Sequence, residues 1–128
     1  MSTLRIDPSS ATPIWSQIED GVRRLVASGA LKPGAAVPSV RDLAKDLRIN
    51  PATVAKAYQR LTDGGVLTVR RGEGTYVADA PPAMSRAERT RILREAAGRF
   101  ADLASTLGVA REEAEDALRA AWKKGANS

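Results

Sequence analysis

The 128-residue chain contains no cysteine and no histidine. Without cysteine it can build neither a disulfide framework nor a thiolate metal site, and a reducing cytoplasm is the expected compartment. Without histidine it lacks the imidazole general base, the commonest zinc ligand and every His-containing triad, so catalysis would fall to carboxylates, lysines and hydroxyls. Long apolar runs are also missing. No stretch approaches the roughly 20 residues that cross a bilayer, and the opening MSTLRIDPSS lacks the apolar core and cleavage site of a secretory leader. The expectation is a soluble non-enzyme with no metal and no cofactor. Glu112, Glu113, Glu115 and Asp116 do cluster. They stand where a helix is expected to begin, and negative charge there complements the macrodipole, so they are assigned to helix stabilisation rather than to a metal. Aromatics make up 4% of the residues, and Trp15 and Trp122 are assigned to packing.

What the chain does have is a formal charge of +5 and a pI near 10.1. A basic surplus favours polyanionic partners, although the same surplus serves plain solubility. Where the cations fall along the chain therefore decides.

Thr12 and Pro13 are read as the cap and first residue of a helix carrying Ile14, Ile18, Val22, Leu25 and Val26 on one face, closed by Gly29. LKPGAAVPS follows as a turn and a short extended piece. Ser39 then caps a short second helix that turns Val40, Leu43, Ala44 and Leu47 inward. Asn50 is a good N-cap and Pro51 a good first residue, so they end one helix and start another, with Arg48 and Ile49 as the turn. The third helix buries Val54, Ala57, Tyr58 and Leu61 and stops at Gly64 and Gly65. Two helices around a tight turn have helix-turn-helix spacing, with Ala52, Thr53 and Lys56 facing outward and Gln59 and Arg60 further along. In VLTVRRGEGTYVA, Leu67 and Val69 alternate with Thr68 and Arg70, and Gly72, Glu73 and Gly74 make the tip of a hairpin. The prolines of DAPPAMS mark a linker. Beyond it Ser85 and Glu88 have capping-box spacing, and Ile92, Leu93, Ala96, Phe100, Leu103 and Leu107 trace a stripe that suits a coiled-coil seam or a core face. Gly108 ends that helix, and a fifth runs from about Arg111 with Ala114, Leu118, Ala121 and Trp122 on one side.

A helix pair by itself is a common packing unit. A basic hairpin directly after it alters the balance, because a recognition helix followed by a wing is a DNA-reading arrangement: the helix enters a groove and the wing lies on the backbone or in the minor groove. An Arg-Arg pair in isolation is usually a solvated strand end. Here Arg41, Lys45, Arg48, Lys56, Arg70 and Arg71 come from the three elements a winged helix turns toward a duplex.

The stretch from Gly29 to Val77, with PG..VPSVRDLA, NPATVAKAY and GEGTYV in order, closely resembles the DNA-binding domain of the GntR family of bacterial transcription regulators, and the opening PIWSQI shares the likeness. The short second part resembles the YtrA-like branch, whose tails serve dimerisation. The resemblance implies an α+β fold, an N-terminal winged helix-turn-helix followed by a two-helix dimerisation element. Residues 1–78 would bind DNA, 79–85 link, and 86–128 dimerise. It also implies that Arg41 contacts phosphate or base, that Thr53 and its neighbours begin the recognition helix, and that Gly72 lies at the wing tip. Some relatives carry arginines at the positions of Pro51 and Ala55, which this chain lacks, so a relative's operator does not transfer.

The expected function is a cytoplasmic, dimeric, sequence-specific transcription regulator, a repressor on an inverted-repeat operator of double-stranded DNA. Its DNA-binding residues are Arg41, Lys45, Arg48, Pro51, Ala52, Thr53, Lys56, Arg70, Arg71 and Gly72. Its dimerisation residues are Ile92, Ala96, Phe100, Leu103, Leu107, Leu118 and Trp122. Two helices leave little volume for a ligand pocket, typically on the order of 300 Å3 or more, so any small-molecule effector is expected at the dimer or interdomain crevice. The alternatives are a winged-helix module that binds protein, told apart by a shallow salt dependence, and a carboxylate-dependent hydrolase, which would need clustered acids in a pocket.

Overall fold

The elements run α1 (Ile14–Ala27), α2 (Val40–Leu47), α3 (Pro51–Asp63), β1 (Leu67–Arg70), β2 (Gly74–Val77), α4 (Arg86–Thr106) and α5 (Arg111–Gly125) in a computed structural model that describes residues 4–125. The outer ends of the expected first and last regions, residues 1–3 and 126–128, lie outside the described residues. The chain divides after Met84 into two units.

In the first unit α1 starts one residue later than its sequence suggests. Pro13, not Thr12, holds the N-cap position, and no side chain caps it. The entry is organised by Gln17, whose amide donates to the carbonyls of Thr12 (2.8 Å) and Asp7 (2.9 Å) while its oxygen accepts from the Asp7 N–H (2.7 Å). The other two starts are capped as expected. Ser39 Oγ accepts from the Asp42 N–H at 3.1 Å, and Asn50 Oδ1 accepts from the Ala52 N–H at 2.9 Å.

The core is formed by Ile18 and Val22 from α1, Leu43 and Ala44 from α2, Val54, Ala57, Tyr58 and Leu61 from α3, and Val66, Leu67 and Val77 around the hairpin. Full burial of each larger aliphatic stabilises by about 1.5–3 kcal/mol before chain entropy is subtracted. α3 therefore has one face that is almost wholly core, which fixes its rotation and hence what its opposite face presents.

β1 and β2 pair antiparallel, with Leu67 opposite Val77, Val69 opposite Thr75 and Arg70 opposite Gly74. The alternation of Leu67 and Val69 predicts a shared apolar environment, yet Leu67 is buried and Val69 is 63% exposed. The pleat still puts both on one face. That face meets core at the Leu67–Val77 end and runs past it toward the tip. Residues 34–37, expected as an extended piece, add to the free edge of β2: the N–H groups of Gly34 and Val37 donate to the carbonyls of Val77 (2.9 Å) and Thr75 (3.0 Å), and Val77 N–H donates to Ala35 (2.8 Å). The hairpin is thereby anchored at its base.

Tyr58 Oη donates to the Pro38 carbonyl at 2.7 Å and so ties α3 to the approach to α2. Burial pushes its phenol pKa well above the usual value of 10.0. The unfolded phenol ionises near pH 10 while the folded one keeps its proton to higher pH, so this contribution is complete below about pH 10 and is lost as pH rises beyond it. Urea unfolding from pH 8 to 11 should show that alkaline decline in the parent. In Tyr58→Phe the decline should be smaller, starting from a stability about 1–2 kcal/mol lower at pH 8 because the Pro38 carbonyl loses its donor.

In the second unit Ser85 Oγ accepts from the Glu88 N–H at 3.1 Å, and Gly108, at φ +70°, ends the turn after α4. α4 contacts α5 but has no buried residue. Ile92 and Ala96 are half-buried, while Phe100, Leu103, Leu107, Leu118 and Trp122 are exposed, the last by 64%. Leu93, on the same stripe, is exposed too. No helix among the described residues is long and apolar enough to cross a membrane.

Candidate nucleic-acid interface

The turn between α2 and α3 is built from two backbone commitments. Arg48 caps α2 in the left-handed region (φ 57°, ψ 48°), a conformation that a non-glycine residue adopts at some steric cost. Ile49 N–H then donates to the Ala44 carbonyl at 3.0 Å, closing the end of α2, and Asn50 returns to extended backbone to start α3. Pro51 follows at a position where a missing N–H loses nothing.

On α2, Arg41 and Lys45 are four residues apart and exposed on one face, and Arg48, the cap that follows them, is exposed too. None of the three has a carboxylate partner among the described residues. On α3 the exposed face carries Pro51, Ala52, Ala55, Lys56, Gln59 and Arg60, with Thr53 half-buried beside them. Ala55 joins the outward face that the sequence assigns to Ala52, Thr53 and Lys56 with Gln59 and Arg60 further along. A step of three from Ala52 reaches it, so periodicity carries the signal.

The long side chains of this face are drawn back onto the protein. Lys56 Nζ sits 4.4 Å from the centroid of the Trp15 ring, and the Arg60 guanidinium 4.8 Å from it. Arg60 Nε also donates to Glu19 Oε2 at 2.7 Å, and Arg23 lies 3.5 Å from Glu19 Oε1. Glu19 is buried, and the two guanidiniums compensate its carboxylate. Trp15, assigned to packing, does lie against the core. It also serves as a cation platform that sequence spacing could not reveal, because the partners are about forty residues apart.

At the wing, Gly72 occupies the tip at φ +79°, where a side chain would be strained, and Glu73 N–H donates to the Arg70 carbonyl at 2.9 Å. Arg70 and Arg71 behave differently. Arg70 stacks over Tyr76 with 4.1 Å between guanidinium and centroid, and its Nη2 lies 4.0 Å from Asp79 Oδ1. Arg71 is exposed and without a carboxylate partner among the described residues. Among the described residues no three His, Cys, Asp or Glu side chains converge as metal ligands.

A helix with an exposed amino-terminal end, preceded by a short helix and turn carrying exposed cations and followed by a glycine-tipped hairpin with a further arginine, defines a winged helix-turn-helix DNA-binding protein. The family described as "Bacterial regulatory proteins, gntR family" matches residues 15–77. The chain belongs to the GntR family, and it is a DNA-binding transcriptional regulator rather than an enzyme. Over 76 residues it is 45% identical to the HTH-type transcriptional repressor YtrA of Bacillus subtilis, a match covering 59% of this chain and 58% of that repressor's length. The solved structure of YtrA from Sulfolobus acidocaldarius, a GntR-family transcription factor, is similar with a TM-score of 0.56 at 38% identity, over 73% of this chain and 95% of that one. AraR(DBD) in complex with operator ORX1 is similar with a TM-score of 0.52 at 26% identity, over 59% of this chain and 93% of that one.

Proposed function

We propose that the protein is a cytoplasmic homodimeric repressor that reads an inverted-repeat operator, with residues 1–78 on the DNA, 79–85 as linker and 86–128 joining the two copies. The observation that carries the DNA contact is that Arg41 and Lys45 of α2, Arg48 of the turn into α3 and Arg71 of the wing are all exposed with no carboxylate partner among the described residues. Free guanidinium and ammonium groups neutralise phosphates and release counterions, and the amino-terminal end of α3 adds donor N–H groups at the positive end of its dipole. Pro51, Ala52 and Thr53 enter the major groove, and Gly72 lets the wing backbone approach the duplex closely. Lys56 and Arg70 take secondary parts, since each must leave an aromatic ring to reach a phosphate. The names of the relatives support a repressor, and a single winged helix covers too few base pairs to find one site in a genome, which favours a dimer on two half-sites.

Binding measured over a salt series tests this. With Arg41, Lys45, Arg48 and Arg71 all changed to alanine, the slope of log K against log salt should flatten by about 0.9 for each phosphate left without its cation, roughly three to four in all, on operator and random duplex alike. An unchanged slope in the folded quadruple variant would remove these residues from the interface.

A further inference from the structure

The proposed DNA contact leaves open how α3 tells one base pair from another, and its exposed face gives an answer. The side chains of this segment that usually read base edges by hydrogen bonding each already hold a partner within the protein. Gln59 Nε2 donates to Asp63 Oδ1 at 2.8 Å, Asn50 Oδ1 accepts from the Ala52 N–H, Lys56 lies on Trp15, and Arg60 is held by Glu19. What remains at the leading end is apolar and short: the ring of Pro51 and the methyl groups of Ala52 and Ala55, all exposed, with the half-buried Thr53 at their side. Ala52 and Ala55 are three residues apart on the helix, so their Cβ atoms are neighbours at about 5–6 Å. Successive bases on a strand rise about 3.4 Å, so the pair can address two adjacent or next-adjacent bases. Short side chains also let the helix backbone sit deep in the groove.

In the major groove the single apolar marker on an unmodified base is the C5 methyl of thymine. A face that offers methyls and no free guanidinium selects for that group and has little with which to select guanine, whose O6 and N7 call for a bidentate arginine or lysine. We infer that α3 specifies its half-site by van der Waals contact between the methyls of Ala52 and Ala55 and the C5 methyls of thymines, Thr53 supplying the adjacent polar contact. This rests on the reading of α3 as the groove-entering helix.

The test begins by enriching preferred sites from a pool of random duplexes with the full chain. In the enriched site each thymine is then replaced singly by deoxyuridine, which removes only the C5 methyl. One or two positions per half-site should weaken binding about four-fold each, the effect of one buried methyl, while uracil in random duplex changes nothing. Ala52→Gly and Ala55→Gly, checked for helix content, should each weaken the thymine site by a similar factor and lose the penalty at the position that their methyl contacts. An enriched site that tolerates uracil at every thymine overturns the inference while leaving sequence-specific binding intact, as does a full uracil penalty in both glycine variants. A pool that does not enrich at all overturns the DNA reading beneath it.

Discussion

A Phe100→Asp, Leu103→Asp double variant is expected to sediment as a monomer and to bind a duplex bearing two half-sites about 10²–10⁴-fold more weakly than the parent. The reason starts from exposure. α4 has no buried residue, and Leu103 is 55% exposed on a stripe that continues through Leu107. Apolar side chains repeating every three or four residues from Ile92 to Leu107 form a seam that a second copy can cover, and covering it removes area worth about 25 cal/mol per Å2 from water. Dimerisation multiplies operator affinity because a second winged helix tethered to a bound first one experiences an effective concentration near the millimolar range. Two aspartates in the seam would have to be buried unpaired, which a dimer does not tolerate. In the monomer they remain in water, so helix content should change little and loss of binding is separable from unfolding. A variant that still sediments as a dimer would remove the seam from this role.

How much of this was legible in the sequence follows from which interactions are local. The starts of α2, α3 and α4 are readable because Ser39, Asn50 and Ser85 act on N–H groups two or three residues away, and the ends of α3 and α4 because glycine is punctuation, whereas α2 ends on Arg48 in the left-handed region. The start of α1 is not legible in this way, since the competing group is Gln17, which reaches back over Thr12 to Asp7, ten residues upstream. Period-two alternation showed which way Val69 points but not how far the core extends beneath it, and that depends on where the helices end in space. The pairing of residues 34–37 with β2 spans about forty residues and leaves no mark in either segment's composition. The same holds for the interface. The cations of α2 and the wing were visible in order along the chain, whereas the commitment of Lys56 to Trp15 and of Arg70 to Tyr76 and Asp79 depends on tertiary approach. Residue type marked six cations, and the fold divides them into free and engaged.

Leu61→Ala should lower the stability of the first unit by about 2–5 kcal/mol, since Leu61 is fully buried in the layer where α3 meets α1 and truncation leaves a cavity as well as reduced apolar burial. A unit of this size has about 5–10 kcal/mol in total, so the variant sits near the limit of folding, with its thermal midpoint lower by roughly 4–8 °C per kcal/mol. The effect on DNA binding is a different matter. Leu61 faces the core and not the duplex, so molecules that remain folded should hold the face of α3 as before, and apparent affinity should fall only by the folded fraction. Because DNA binds the folded state, operator at about 100 times its Kd should restore about 2.7 kcal/mol. Thermal unfolding followed with and without duplex reads both quantities at once. A midpoint shift that duplex fails to recover would mean that the cavity disturbs the recognition face itself, and an unshifted midpoint would take Leu61 out of the core.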